Sequence, residues 1–172
     1  TTTSAVRNTF TNPIKANETL QAGESVVVRA GTYAEIINPE NSGSSETERI
    51  RYVAYPGETV ELTGGDDGDA VVAINFKDFI SVDGFVVKQA NPKGGSESFA
   101  DIRIRGNWNE IENCTVVNTM SSIESFDAGI REIGIQILSG EDNVIAGNRV
   151  EGVWFGVIVH NPSLRSAIRC NT

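Results

Sequence analysis

A short pattern recurs four times between residues 82 and 172 of this sequence. Each copy opens with an aliphatic residue followed by small or polar residues, and three of the four copies close with a second aliphatic residue. The opening aliphatics are Val82, Ile111, Ile145 and Ile168, at steps of 29, 34 and 23 residues. Repeats of this period are typical of solenoids, in which each unit stacks on its neighbours. The longer steps contain the polar stretches 90–100 and 118–132, which a solenoid accommodates as bulges from one face.

The apolar residues around these repeats alternate with polar ones at period two, which predicts short half-buried strands. Stacking them in register at about 4.8 Å per layer gives a parallel β-helix. Val82, Ile111, Ile145 and Ile168 are expected to form one interior column, and Val87, Val116 and Val150 another. Asn113, Asn148 and Asn171 are expected at or beside the turns. The alternative, a β-sandwich, does not explain equivalent turns that recur about once per layer.

One short helix is predicted, over Asn12 to Gln21, with Gly23 suited to its C-terminal end. The sequence therefore predicts an all-β fold, a parallel β-helix with a short N-terminal capping helix. Residues 1–11 are expected to be an extension and residues 12–172 the β-helix domain. Because the fourth repeat stops before its second aliphatic, we expect the C-terminal end to continue or to be covered by a partner.

The charge balance limits the kinds of partner that the chain can bind. The 14 Lys and Arg residues face 23 Asp and Glu residues, for a formal net charge of −9. Nucleic acid and anionic membrane surfaces are therefore unfavourable partners. No apolar run approaches the roughly 18 residues of a membrane-spanning helix, so membrane insertion is not expected.

The N-terminal third of the chain carries a family resemblance. The segment 23–35 reads GESVVVRAGTYAE, and it is followed by Ile50–Glu58 and by Val60–Gly64. This arrangement resembles the first coils of pectate-lyase-like right-handed parallel β-helix proteins, with Ala30 in the place where Pro is usual. The resemblance covers about residues 12–172 and rests on structural motifs.

The resemblance implies an extracellular protein that binds or processes a polysaccharide, most simply an acidic one. If the chain is an enzyme, the resemblance implies a calcium-dependent polysaccharide lyase with a Lys or Arg base. The active site of such an enzyme can lie outside this segment. No catalytic cluster stands out in the sequence, so catalytic residues are not assigned. The alternative is a structural or adhesive subunit that self-associates end to end through open coils into a surface filament.

Several residues are candidates for these functions. Arg103 and Arg105 alternate with Ile102 and Ile104, so both are expected to point outward, where they can grip a carboxylated sugar or simply be solvated. The full set of substrate-binding candidates is Arg103, Arg105, Lys77, Trp108 and Trp154. The acidic loop of Asp66, Asp67 and Asp69 offers oxygens to a hard cation such as calcium, or is a solvated turn.

Asn17 and Asn113 begin N-glycosylation sequons. His160, the single histidine, is expected to be a turn residue because no Ser or Cys nucleophile accompanies it. Cys114 and Cys170 fall in neighbouring columns two layers apart, at about 9.6 Å, which exceeds the separation that a disulfide can span. We therefore expect no disulfide between them.

Overall fold

The computed structural model describes residues 7–8, 13–64, 70–88, 98–118, 131–160, 163 and 165–172. These residues form a nearly all-β structure of three parallel sheets, which is a parallel β-helix. Each complete coil contributes one strand to each of the three sheets. The prediction of the fold from the sequence is confirmed, and so is the expectation of one short helix.

The strand bounds follow the predicted apolar runs. Sheet A contains β1 (Arg7–Asn8), β2 (Ser25–Val28), β4 (Ile50–Ala54), β7 (Ile80–Asp83), β10 (Glu110–Glu112), β13 (Val144–Ala146) and β16 (Ala167–Arg169). Sheet B contains β3 (Gly31–Tyr33), β5 (Val60–Leu62), β8 (Val86–Val87), β11 (Thr115–Val117) and β14 (Arg149–Glu151). Sheet C contains β6 (Val72–Asn75), β9 (Ser98–Arg105), β12 (Arg131–Ser139) and β15 (Phe155–Val159).

The strand register aligns the predicted interior columns. Ile111 pairs with Val82 on one side and Ile145 on the other, and Ile145 pairs with Ile168. The second column is aligned in the same way, because Val116 pairs with both Val87 and Val150. Steps of 29, 34 and 23 residues therefore each correspond to one coil. Val82, Ile111 and Ile145 are fully buried and exclude water from the core, which is the main source of stability in a stacked repeat. Ile168 is aligned with them but 47% exposed, so its prediction as an interior residue was wrong.

The first helix, α1 (Pro13–Thr19), packs against the core at the N-terminal end. Its Ala16 and the following Leu20 are fully buried, and the Leu20 amide donates a 3.1 Å hydrogen bond to Ala16 O. A 3₁₀ turn spans Glu46–Glu48. Strand β1 belongs to the segment predicted as an extension, yet it pairs in parallel with β2 of the same chain.

The turn from sheet C to sheet A repeats with the same backbone geometry. Phe79, Trp108, Asp142 and Arg165 occupy equivalent positions in four coils, and their φ angles lie between 54° and 56°. A left-handed residue reverses the chain direction there in each coil. One residue later, Asn109 and Asn143 are fully buried and hydrogen-bond from coil to coil, with Asn109 N donating to Asn143 Oδ1 at 2.9 Å.

A second asparagine ladder lies at the turn from sheet A to sheet B. Cys114 N donates to Asn148 Oδ1, and Asn148 N donates to Asn171 Oδ1, both at 2.9 Å. Asn148 and Asn171 therefore align with Cys114, while Asn113 lies one residue earlier, beside the turn. Within the described residues, no helix is long and apolar enough to cross a membrane.

Candidate functional site

The outer face of sheet C presents polar residues between buried aliphatic ones. Ile102 and Ile104 of β9 are fully buried, so the alternating Arg103 and Arg105 face outward. In the next coil Gln136 is the register partner of Arg103. The outward orientation that the sequence predicted for the two arginines follows directly from this alternation.

The turn that follows β6 contains Lys77, another sequence-predicted binding residue. Its backbone oxygen accepts a 3.0 Å hydrogen bond from Asn109 Nδ2, which fixes the turn against the coil above. The same turn contains Phe76, a highly exposed aromatic residue at 74% exposure. The Arg105 guanidinium lies 5.7 Å from the Phe76 ring centroid, so this turn adjoins the outer face of sheet C.

Trp108 lies in the column of left-handed turn residues, where it contacts its neighbours in the stack. Its ring stacks on Phe79 with centroids 4.9 Å apart and 5° between the planes. The Arg165 guanidinium holds the pKa of Asp142 below its usual value, and the neighbouring Trp108 side chain adds a smaller contribution. These contacts give Trp108 a structural role in the turn.

Trp154 lies at the opposite end of the strands of sheet C from Lys77 and Trp108. It immediately precedes β15, and its backbone amide donates a 3.1 Å hydrogen bond to Glu132 O in the preceding coil. The residue is 45% exposed. The structure therefore groups Arg103, Arg105 and Lys77 near one end of sheet C and separates them from Trp154.

Two carboxyl groups are buried on adjacent coils at the start of sheet C. Asp101 is 2% exposed, and its Oδ2 has no hydrogen-bond partner among the described residues. Burial, reinforced by the negative charge of Glu132, raises the pKa of Asp101 to about 8. Burial also raises the pKa of Glu132, and the neighbouring Asn118 side chain opposes part of that shift. Asp101 therefore keeps its proton at neutral pH.

His160 follows β15 and contacts the outer face of sheet C. Its Nε2 lies 3.0 Å from Gln136 Nε2, and its backbone amide donates to Ile137 O at 2.9 Å. No described Ser or Cys nucleophile hydrogen-bonds to this ring. A hydrogen bond to Gln136 fits a residue that joins two coils, in line with the turn position that the sequence predicted.

The candidate calcium loop, Asp66, Asp67 and Asp69, lies outside the described residues. Within the described part of the chain there is no group of three or more His, Cys, Asp or Glu side chains arranged to hold a metal ion. Calcium binding therefore stays a prediction for the loop.

The two sequon asparagines differ in their surroundings. Asn17 is buried, with Nδ2 donating to Ile36 O at 2.9 Å and Oδ1 accepting from Asn38 N at 3.1 Å. Asn113 is exposed, and its Nδ2 donates to Asp83 Oδ1 at 2.9 Å. Attachment of a glycan to Asn17 would disrupt the contacts that join α1 to the first coil, whereas Asn113 is accessible.

The cysteines occupy the adjoining columns that the repeat alignment predicted. Cys114 is buried and Cys170 is exposed, and both are free thiols. Burial raises the pKa of the Cys114 thiol to about 12, so this group is an unreactive core residue.

Comparisons with known proteins give no relative for this chain. No protein-family model, no curated protein and no solved structure matches the sequence or the fold significantly. The class of protein is therefore defined by the architecture alone, a parallel β-helix, and function has to be argued from its surface.

Two features of this surface were absent from the sequence-based candidates. Phe76 has no signal in the local sequence, because its exposure depends on how its turn aligns with the coil above. Asp101 has the same strand parity as Arg103 and Arg105, which predicts exposure, yet it is buried. An Asp within a strand, ahead of two isoleucines, is the sequence signal available for it.

Proposed function

We propose that this chain is an extracellular β-helix domain that binds an acidic polysaccharide across the outer face of sheet C. The observation that carries the proposal is the outward Arg103–Arg105 pair in a chain whose net charge is −9. Carboxylates are abundant in this molecule, so Arg105, which forms no ion pair with one among the described residues, is available to an external anion.

The other arginines support this interpretation because carboxylates hold four of them among the described residues. Arg29 pairs with Glu58, and Arg49 Nη2 lies 3.0 Å from Glu110. Arg149 pairs with Glu151, and Arg165 pairs with both Glu141 and Asp142. Arg105, in contrast, forms no ion pair with a carboxylate among the described residues.

An extended ligand suits this face better than a small anion. Arg103 and Arg105 lie two residues apart on β9, about 6.7 Å along the strand, so this face offers two guanidinium positions in a row across the axis of the β-helix. A guanidinium can hold a carboxylate through two parallel hydrogen bonds. A polymer with a carboxylate on each sugar that follows the strand would bring its carboxylates near both positions, and its binding would gain from multivalency.

Binding to polygalacturonate tests the proposal. The wild-type chain is expected to bind this polymer and to bind its carboxyl-reduced, neutral form at least about tenfold more weakly, since charge-assisted hydrogen bonds supply roughly 1.5–3 kcal/mol each. The variant Arg103→Ala/Arg105→Ala is expected to lose the preference, whereas Arg51→Ala, on sheet A, should retain it. Equal binding of the charged and neutral polymers by the wild-type chain would contradict the proposal.

A polysaccharide-processing activity is measured in the same samples. If the chain is a lyase, absorbance in the unsaturated-uronate band will rise when polygalacturonate and calcium are added. Binding without any rise in absorbance assigns the chain to the binding class. Asp101, whose pKa is raised to about 8, is the first residue to change if turnover is seen.

A second candidate function is end-to-end self-association. In the described chain β14, β15 and β16 each lie at the edge of a sheet, and Val159 and Ile168 of this coil are 41% and 47% exposed. Exposed edge strands with apolar side chains favour pairing with another chain. Light scattering coupled to size exclusion distinguishes the two functions: concentration-dependent polymers support self-association, and a monomer that binds the acidic polymer supports the first proposal.

A further inference from the structure

The turn from sheet C to sheet A is one residue longer in the first of three successive coils. Asn75, at the end of β6, pairs with Arg105, and Arg105 pairs with Ser139. The three turns then reach their equivalent left-handed residues at Phe79, Trp108 and Asp142. The first turn contains three residues, 76–78. The next two turns contain two residues each, 106–107 and 140–141.

Phe76 accommodates the extra length in a strained conformation. Its φ is +56°, in the left-handed region that bulky residues rarely adopt. The corresponding turns in the next two coils begin with Gly106 and Gly140, at φ angles of +142° and +109°. Because the Phe76 ring is 74% exposed, burial in the core does not compensate the strain. A strained and exposed aromatic residue is unfavourable for folding and points to a role in binding.

The ring is accompanied by two cations that form no ion pair with a carboxylate among the described residues. The Arg105 guanidinium lies 5.7 Å from the ring centroid, and the Phe76 amide donates to Arg105 O at 2.6 Å. Lys77 is the next residue, and it too forms no ion pair among the described residues. The nearest carboxylate in the turn, Asp78, accepts hydrogen bonds at Oδ1 from Asn107 N and Nδ2.

A second exposed aromatic–arginine pair in the chain differs in charge. The Arg29 guanidinium lies 4.4 Å from the Tyr55 ring centroid, but Glu58 Oε1 and Oε2 accept hydrogen bonds from Arg29 Nε at 3.0 and 2.9 Å. The Tyr55 pair is therefore neutral overall, and the Phe76 pair is cationic. Tyr55 provides a matched control of the same residue class on another face.

We propose that Phe76, Arg105 and Lys77 form a subsite for one uronate-type sugar of the polysaccharide, with the apolar face of the sugar ring on Phe76 and its carboxylate on Arg105 and Lys77. The inference rests on the proposed function and specifies where the polymer is held. An aromatic face provides the stacking surface, and Arg105 provides a forked donor for the carboxylate. Arg105 of the subsite lies two residues after Arg103 on β9, so one chain of sugars that follows this strand can contact both the subsite and Arg103.

Titration of the wild-type chain and its variants with oligogalacturonate by calorimetry tests the subsite. Phe76→Gly is expected to weaken binding by about threefold to tenfold, the range of one aromatic stacking contact. Its melting temperature should not fall, because glycine accepts a positive φ without strain. Arg105→Gln is expected to weaken binding by about tenfold or more. Tyr55→Gly should leave the affinity within about twofold of the wild-type value.

The outcomes separate the subsite from the general function. Wild-type affinity in both Phe76→Gly and Arg105→Gln, in a chain that still prefers the charged polymer over its neutral form, overturns the subsite and leaves the proposed function standing. A wild-type chain that does not distinguish the two polymers overturns the proposed function itself. Weakened binding in Phe76→Gly with an unchanged or raised melting temperature supports the subsite, because loss of folding cannot then explain the loss of binding.

Discussion

Asp101 shows how one buried carboxyl group sets a pH dependence for the whole chain. A carboxyl group in an unfolded chain has a pKa of about 3.9. In the folded chain, burial and the charge of Glu132 raise the pKa of Asp101 to about 8. The folded state therefore keeps a proton that the unfolded state loses between these two values. The stability that this proton provides is fully present below about pH 4 and is lost as the pH rises through about 8.

The variant Asp101→Asn should remove this dependence, because asparagine has nearly the same shape and carries no charge at any of these pH values. We expect its free energy of unfolding to exceed that of the wild-type chain at pH 9 and to match it more closely at pH 5. The wild-type slope between these pH values should approach about 1.4 kcal/mol per pH unit at most from this group. Urea unfolding at pH 5, 7 and 9 measures the difference. Parallel curves for the two proteins would show that Asp101 ionises freely in the folded chain.

At the scale of the elements, buried asparagines join each coil to the next at the turns. Asn148 accepts a hydrogen bond from Cys114 N, and its Nδ2 donates to Ile111 O at 2.9 Å. Cys114 lies beyond the end of β10 and Ile111 one residue before that end, and a side chain of the next coil bonds both backbone groups. A side-chain amide with one donor group and one acceptor satisfies both, which explains why asparagine recurs at these turns.

The variant Asn148→Ala is expected to lower the free energy of unfolding by about 2–3 kcal/mol, because it leaves a buried N–H and a buried C=O unsatisfied. Asn113→Gly is the control: it removes an exposed amide in the adjoining column, and glycine tolerates the φ of +51° found there. We expect the control to cost less than about 1 kcal/mol. Equal losses in chemical denaturation of the two variants would contradict a special role for the ladder.

The sequence was sufficient to predict the stacked elements because the core repeats its chemistry in every coil. Val82, Ile111 and Ile145 are all aliphatic and all fully buried, so the pattern that places them is visible without coordinates. The outward Arg103 and Arg105 followed from the same alternation. Trp108 was different: its stacking on Phe79 depends on the alignment of two turns 29 residues apart, which the local sequence does not contain.

At the scale of the whole molecule, the surface features depend on the relative length of successive turns. Phe76 is exposed because its turn has one residue more than the equivalent turn of the next coil. This difference in turn length is recognisable only after three coils are aligned. The same dependence applies to Asp101 and Glu132, whose interaction joins adjacent coils. Sequence repeats therefore predict the interior of this β-helix well, whereas its outer surface requires the register of the whole stack.

The register itself underlies both the sheet C face and the Phe76 subsite, and a disulfide test measures it directly. Asp83 pairs with Glu112 in the neighbouring coil, whereas Glu110 lies opposite Ser81. In a background without Cys114 and Cys170, the pair Asp83→Cys/Glu112→Cys places two cysteines with their Cα atoms about 4.8 Å apart. This separation is within the range that a disulfide can span. The pair Asp83→Cys/Glu110→Cys is displaced by two residues and serves as the control. Mass spectrometry of the oxidised monomers should show a disulfide in the first pair and free thiols in the control. A disulfide in the control with free thiols in the first pair would contradict the register in which the coils stack.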